Sequence, residues 1–411
     1  MNLTFKRLNL LPVVMVLAAC MGGDGHHAQE GPHGSVSQAA PGPGPGGCPT
    51  LPLTPTQGVS DPFERFQDAG ALAGEGGVSD TGAFTYTIPI WVPEGRDGLQ
   101  PSFALDYNSQ RGKGIVARGW TMTGTSQIHR CGYNFERDGK VKEVTFGDDN
   151  FCLNGEKLVP VDPGELPTEV QLPGGTVLQE YRTERESFAR IVSFTRHSHS
   201  RAFPEEWIVF HRNGLVDYFG YERGSDVKGL RHGTNIIIPS TIAWLRHRTA
   251  DRHGNLIDYT YVQRNTDSAA RVLDKAEWGH RISGAYAGTP KRRIEFEYGN
   301  ILYTVQGTYW VGGLNVFNSA ELRGIKVYAP NTQNASTSVL ARRYILKRDD
   351  VNHPELYEFT EDAKLYSVQV CGPYEDTCLP PTTFEYGTGE VKFEKKQGFQ
   401  LTGQFDGLNW T

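Results

Sequence analysis

From Gly82 onward apolar side chains recur at every second position. In FTYTIPIWV, Phe84, Tyr86, Ile88, Ile90 and Val92 fall on one face of an extended chain, which predicts a half-buried strand. Pro93, Gly95 and Gly98 then mark a turn, and SFALDY sets Phe103, Leu105 and Tyr107 on one face of a second strand. TSQIHR, KEVTF, EWIVFH, LVDYFG, IDYTYV, RRIEFEY, LRGIKVY, KLYSVQV and TFEY follow at short intervals. Charged and apolar residues alternate in most of them, so one face is wet and the other packed, as in antiparallel sheet. Long amphipathic runs rich in Ala and Leu are missing. The expected fold is mainly β, with antiparallel hairpins forming a large wrapped sheet.

YNSQRGKGIVARGW, Tyr107 to Trp120, interrupts this pattern with three glycines, a lysine and two arginines. A phosphate-binding loop would place its glycines between a buried strand and a helix N-terminus. The strand is there, but IVARGWTMTG makes no amphipathic helix, and Lys113 is followed by Gly114 instead of Ser or Thr. The stretch therefore reads as a β-corner. Asn108 and Gly112 turn the chain, Gly119 lets Trp120 enter the core, and Lys113 is an exposed loop charge.

Composition narrows the partners. Over 411 residues, Lys+Arg 41 against Asp+Glu 47 gives a net charge of -6, which argues against a nucleic-acid partner. The N-terminus carries Lys6 and Arg7 ahead of a short apolar run ending in Leu17-Ala18-Ala19-Cys20. That run is too short for a permanent membrane span, and it resembles a lipoprotein signal peptide over 1–19, with Cys20 as the lipidated residue. Met21 follows in place of an aspartate, which points to the outer membrane or cell surface. Residues 20–60 are Gly, Pro, His, Gln and Ser with almost no large apolar side chain, the composition of a disordered tether. In an oxidising compartment the cysteines are disulfide candidates. Sequence-local pairing joins Cys131 to Cys152 around an expected hairpin and Cys371 to Cys378 around a turn, and leaves Cys48 over. His197 and His199 share a strand face without a further ligand, and no histidine or cysteine spacing suits a metal. No cofactor is expected.

DRHGNLIDYTY and LVDYFGYERG both set a tyrosine-bearing strand beside a glycine turn, with Ile257, Tyr259 and Tyr261 on one side in the first. They resemble the Rhs or YD repeat, whose stacked hairpins bury a common face. More specific is GAFTYTIPIWVPEGRDGLQPSFALDYNSQRGKGIVARGWTMTGTSQIHRC. It closely resembles the opening of the SpvB and insecticidal toxin complex B-component family. Gly82, Tyr86, Pro89, Pro93, Gly98, Pro101, Tyr107, Asn108, Ser109, Gly119 and Trp120 match its motif. DDNFCLNGEKLV and CGPYEDTCLPPTTFEY look like the cysteine-bearing segments of the family's Rhs-associated members.

The resemblance implies a non-catalytic module over 61–390, the first part of a β-shell enclosing a toxic C-terminal part. Residues 391–411 would then begin a truncated FG-GAP/VCBS-type repeat. Its partners would be the remainder of the shell or other toxin components, in cis or in trans, with membrane contact only through the lipid. Some members carry an ADP-ribosyltransferase with a Glu-x-Glu pair. Glu184 and Glu186 have that spacing but lack its companion strands, and read as the wet face of a strand. A surface adhesion or carbohydrate-binding protein is the alternative, resting on Trp91, Trp207, Trp244, Trp278 and Trp310 as exposed aromatics.

Overall fold

The structure, a computed structural model, describes residues 3–4, 72–162, 176–196, 203–231, 237–263, 271–283, 288, 290–300, 308–317, 320–334, 337–348, 364–374 and 377–387. Cys20, Cys48, His197, His199 and the segment 391–411 lie outside them. Strand β1 (Leu3–Thr4) pairs with the last strand, β24 (Glu385–Tyr386). From residue 72 a four-stranded antiparallel sheet comes first, in the order β2 (Glu75–Val78), β3 (Phe84–Ile90), β4 (Phe103–Asn108), β5 (Trp120–Met122). In β3, Ile88 and Ile90 are buried and Phe84 and Tyr86 pack against the same core, as the alternation predicts. β2 pairs with β3 only as far as Thr87, so Pro89 sits where one flank of β3 is already free and its missing N–H costs little.

Next the chain closes a barrel. β6 (Gln127–Cys131) is followed by a helical turn, α1 (Phe135–Asp138), and then by β7 (Asn150–Leu153), β8 (Glu156–Pro160), β9 (Thr176–Thr183), β10 (Arg190–Thr195), β11 (Glu206–Phe210) and β12 (Val216–Phe219). Each of these strands pairs with the next, all antiparallel. After β13 (Asp226–Arg231), the long β14 (Ile237–Ala250) pairs with β12 near its end and with β6 in its middle, completing a ring of eight strands. The lumen is filled, as small barrels require. Ile128, Phe151, Leu158, Tyr181, Ile191, Trp207, Phe219 and Trp244 form one buried cluster to which every strand of the ring contributes. Trp207 lies 5.6 Å from Trp244 and 4.9 Å from Phe151, centroid to centroid, in edge contacts.

β14 also starts a second body. β15 (Asn255–Val262), β16 (Val272–Arg281) and β17 (Arg292–Asn300) follow it as a meander. A hairpin, β18 (Thr308–Val311) and β19 (Leu314–Phe317), leaves the sheet to pair with β13. The meander then resumes with β20 (Ala320–Pro330), β21 (Ser338–Arg348), β22 (Leu365–Cys371) and β23 (Thr382–Thr383). Its inner face packs on the β2–β5 sheet, and Tyr259, Trp278, Phe296, Val327 and Tyr344 share one core with Ile88, Phe103 and Trp120. Its outer face carries a lattice of ion pairs, among them Lys275–Glu277 at 2.9 Å, Arg293–Glu295 at 2.7 Å and Lys326–Glu297 at 2.6 Å. Exposed pairs of this kind add little stability, but they keep the face wet.

Two sequence expectations fail between Cys131 and Cys152. KEVTF is not a strand; Lys142 makes one isolated bridge with Tyr133 and the rest is loop. The carboxylate of Asp149 captures the chain there, accepting from the backbone N–H of Thr145 at 2.7 Å and of Phe146 at 2.8 Å. Asp149 is itself fixed by buried Arg130 at 3.0 Å. Nor is the stretch a simple hairpin, because Asn134 caps the turn α1, its side chain accepting from the N–H of Glu136.

Candidate functional site

The glycine-rich stretch folds as a corner. Asn108 accepts from the N–H of Gln110 through its side chain, and Ser109 exchanges bonds with Phe84, so that β3 and β4 are clamped together at one end. The N–H of Gly119 donates to Gly112 O at 2.9 Å. Gly119 has φ +77°, and a Cβ there would lie 2.5 Å from the Tyr107 ring, so both backbone and space call for glycine. Trp120 is fully buried, 5.2 Å from the Tyr107 ring and 4.8 Å from that of Phe384. Its Nε1 donates to Tyr386 Oη at 3.0 Å, and Tyr386 donates to Leu365 O at 2.7 Å. The corner thus ties the first sheet to the last strands.

The remaining motif residues also do packing and turning. Tyr86 lies edge-on to Trp120 and Phe384. Gly82 (φ +77°) and Gly98 (φ +75°) turn the chain. Pro93 O accepts from Trp278 Nε1 at 3.1 Å, and Pro101 is buried. Lys113 departs from expectation. Its ammonium lies 3.7 Å from Glu321 with only 18% of the side chain exposed, and Glu321 also pairs with Arg348 at 2.8 Å and Arg323 at 3.3 Å. Buried Arg348 in turn donates to Val116 O at 2.8 Å. A lysine so engaged is not poised over a phosphate.

Two further clusters centre on aspartates of the recurrent LVDY and LIDY signatures. Asp258 accepts from His280 Nε2 at 3.0 Å, Arg248 Nε at 2.7 Å and Arg223 Nη2 at 2.9 Å. Burial alone would push this carboxyl up, but the hydrogen bonds from His280 and Arg248 and the charges of Arg248 and Arg223 hold it far below the usual range. Asp217 repeats the arrangement on the other side of β14, with His211 Nε2 at 2.9 Å, Arg246 at 3.5 Å and a short bond from Thr249. Burial opposes its ionisation too, and His211, Arg246 and Thr249 outweigh it. The two strands are in register with β14, Asp217 facing Thr249 and Asp258 facing Arg248. On β14, burial lowers His247 to about 3, helped by the charges of Arg248 and Arg223. These aspartates lock three strands across the seam between barrel and meander.

Other candidates are brought to no common place. Glu184 and Glu186 sit in the turn after β9, not on a strand face; Glu184 pairs with Arg137 at 3.3 Å and Glu186 accepts from the Phe188 N–H. Trp207, Trp244 and Trp278 are wholly buried and Trp91 is half-buried, leaving Trp310 as the exposed member of the expected aromatic set. Cys131 is bonded to Cys152 and Cys371 to Cys378. Among the described residues no three His, Cys, Asp or Glu side chains are placed to hold a metal ion. The sequence reading missed Arg348 and Glu321, which carry no local signal: Arg348 sits in ARRYILKR like any charge on an alternating strand.

Barrel, sandwich and corner together define an antiparallel β module whose motif residues act in turns and packing. The family model described as Salmonella virulence plasmid 65kDa B protein, SpvB, matches residues 78–312. The chain belongs to the SpvB family. Nothing among curated proteins matches it. Among solved structures it is similar to the N-terminal domain of effector protein SpvB from Salmonella typhimurium strain LT2, with 20% identity and a TM-score of 0.54, covering 70% of this chain and 99% of that one. It is also similar to TcdB2-TccC3, at 18% identity and a TM-score of 0.57, and to the Photorhabdus luminescens Tc holotoxin pore carrying the mutation TccC3-D651A, at 19% and 0.56. It covers 75% of its own length against the first and 76% against the second, and spans 16% of either of those longer chains. At these identities the likeness is one of fold.

Proposed function

We propose that this chain is a non-catalytic structural module of an exported, toxin-like protein, contributing part of a β-shell that encloses or delivers a toxic component. One observation carries the reading: the same fold fills 99% of a separately solved SpvB domain and 16% of a TcdB2-TccC3 chain. A unit that fills one N-terminal domain and a small part of a much longer chain suits a building block. In this proposal residues 61–390 are the module, 20–60 a tether, and Cys20 its lipid anchor at the outer membrane or cell surface. It works without cofactor or nucleic acid. Burial of the tryptophans removes most of the support for an aromatic adhesion surface.

Amine-directed cross-linking in the source cells, read by mass spectrometry, tests this. Lys364, whose ammonium lies over the Tyr386 ring, reports on the stretch around β24. Cross-links from Lys364 to shell or toxin sequence are expected; cross-links confined to residues 72–387 would contradict the proposal.

A further inference from the structure

Where the barrel meets the sandwich, a cleft of about 380 Å³ opens above the Asp217 cluster. Its walls come from three distant stretches: Leu99–Ser102 in the β3–β4 connection, Gly124–Ser126 between the sheets, and Asn154 in the β7–β8 turn. The size falls in the range of small-molecule sites, and a junction between two packed bodies is where such sites occur.

Charge excludes one class of ligand. Asp217 and Arg246 are 3.5 Å apart and offset each other, so an ion entering the cleft would lose water without gaining a free counter-charge. Hydrogen-bonding capacity is nonetheless left over. Arg246 keeps 18% of its side chain exposed, and its guanidinium carries more N–H groups than the two acceptors it meets, Gly124 O at 2.7 Å from Nη2 and Asp217 at 3.5 Å from Nη1. His211 is about one-third exposed and gives Nε2 to Asp217 at 2.9 Å. In its neutral form that bond makes Nε2 the donor and leaves Nδ1 as an acceptor. The floor therefore offers one donor and one acceptor, both oriented by the same buried carboxylate, which suits a pair of hydroxyls. Leu99, Pro101 and Leu215 supply an apolar wall for C–H faces.

We propose that this cleft binds a neutral polyol, a saccharide of one or two hexose units, with His211 accepting from one hydroxyl and Arg246 donating to another. The proposal does not depend on the shell reading.

Saturation-transfer NMR on the full chain tests it, with glucose, galactose, mannose and N-acetylglucosamine as probes and glucuronate as the charged comparison. At least one neutral sugar should show transfer, and glucuronate should bind more weakly than glucose. His211→Ala removes one neutral hydrogen bond and should weaken binding roughly two- to tenfold. Thr125→Trp, which fills the exposed rim without touching the Asp217 cluster, should abolish it. Thermal unfolding of both variants checks that the fold persists; should His211→Ala fail to fold, Thr125→Trp decides alone. Absence of transfer from every neutral sugar, equal or stronger binding of glucuronate, or parent-like binding by Thr125→Trp would overturn the proposal.

Discussion

Replacing Trp120 by alanine separates the corner from a phosphate loop most sharply. The indole is completely buried and touches Tyr86, Tyr107 and Phe384, so its removal leaves a cavity that the two packed sheets cannot readily close. Emptying a large aromatic site costs about 3–5 kcal/mol. Trp120→Phe keeps most of the ring contact but loses the bond to Tyr386 Oη, worth about 1 kcal/mol. Lys113→Ala should not be silent, because the lysine is one of three cations on Glu321. The two arginines remain, so its cost should stay near 1 kcal/mol. Urea unfolding followed by near-ultraviolet dichroism orders the variants as Trp120→Ala well below Trp120→Phe, with Lys113→Ala closest to the parent. A Trp120→Ala chain within about 1 kcal/mol of the parent would refute the packing argument. So would nucleotide-dependent stabilisation that Lys113→Ala removes while leaving the fold intact.

Acid should destabilise the seam in two stages. His247 is neutral when folded, with a pKa of about 3, whereas the unfolded chain takes up its proton near pH 6.5, so stability should fall as the pH drops below that value. The loss should reach about 2 kcal/mol by about pH 5, and His247→Gln should flatten that part of the profile. Asp217 and Asp258, whose carboxyls are depressed, add their loss only at lower pH, as pH falls below the unfolded carboxylate range. Reduction of Cys131–Cys152, which spans 21 residues, should cost about 3 kcal/mol, and of Cys371–Cys378, which spans 7, somewhat less. A non-reducing peptide map that found Cys48 bridged to any of these four would reject the pairing. A fatty-acid analogue should label the parent but not Cys20→Ala, and equal labelling of both would remove the lipid anchor.

Strand alternation made much of this fold legible. FTYTIPIWV and SFALDY could be placed by eye because one face of each is core and the other is not, and the glycine at 119 announced a crowded approach. What failed was set by partners far away in the chain. KEVTF has the look of a strand, but Asp149 binds its amides and is itself held by Arg130, a contact no local window contains. Trp207 and Trp244 looked like exposed platforms because their burial depends on β14 closing back onto β6, and nothing in either strand's own sequence states that pairing. The LVDY and LIDY signatures were visible as a repeat. Their role was not, because His280 and Arg223 reach Asp258 from positions 22 and 35 residues away.

In the proposed function, residues 61–390 are a packed module joined to the rest of a shell. Cryo-electron microscopy of the chain isolated with everything bonded to it would show that junction. The expected density has the sheet continuing past β22 and β23 into further strands that curve around an enclosed volume. A free monomer with no further strands attached would exclude that arrangement.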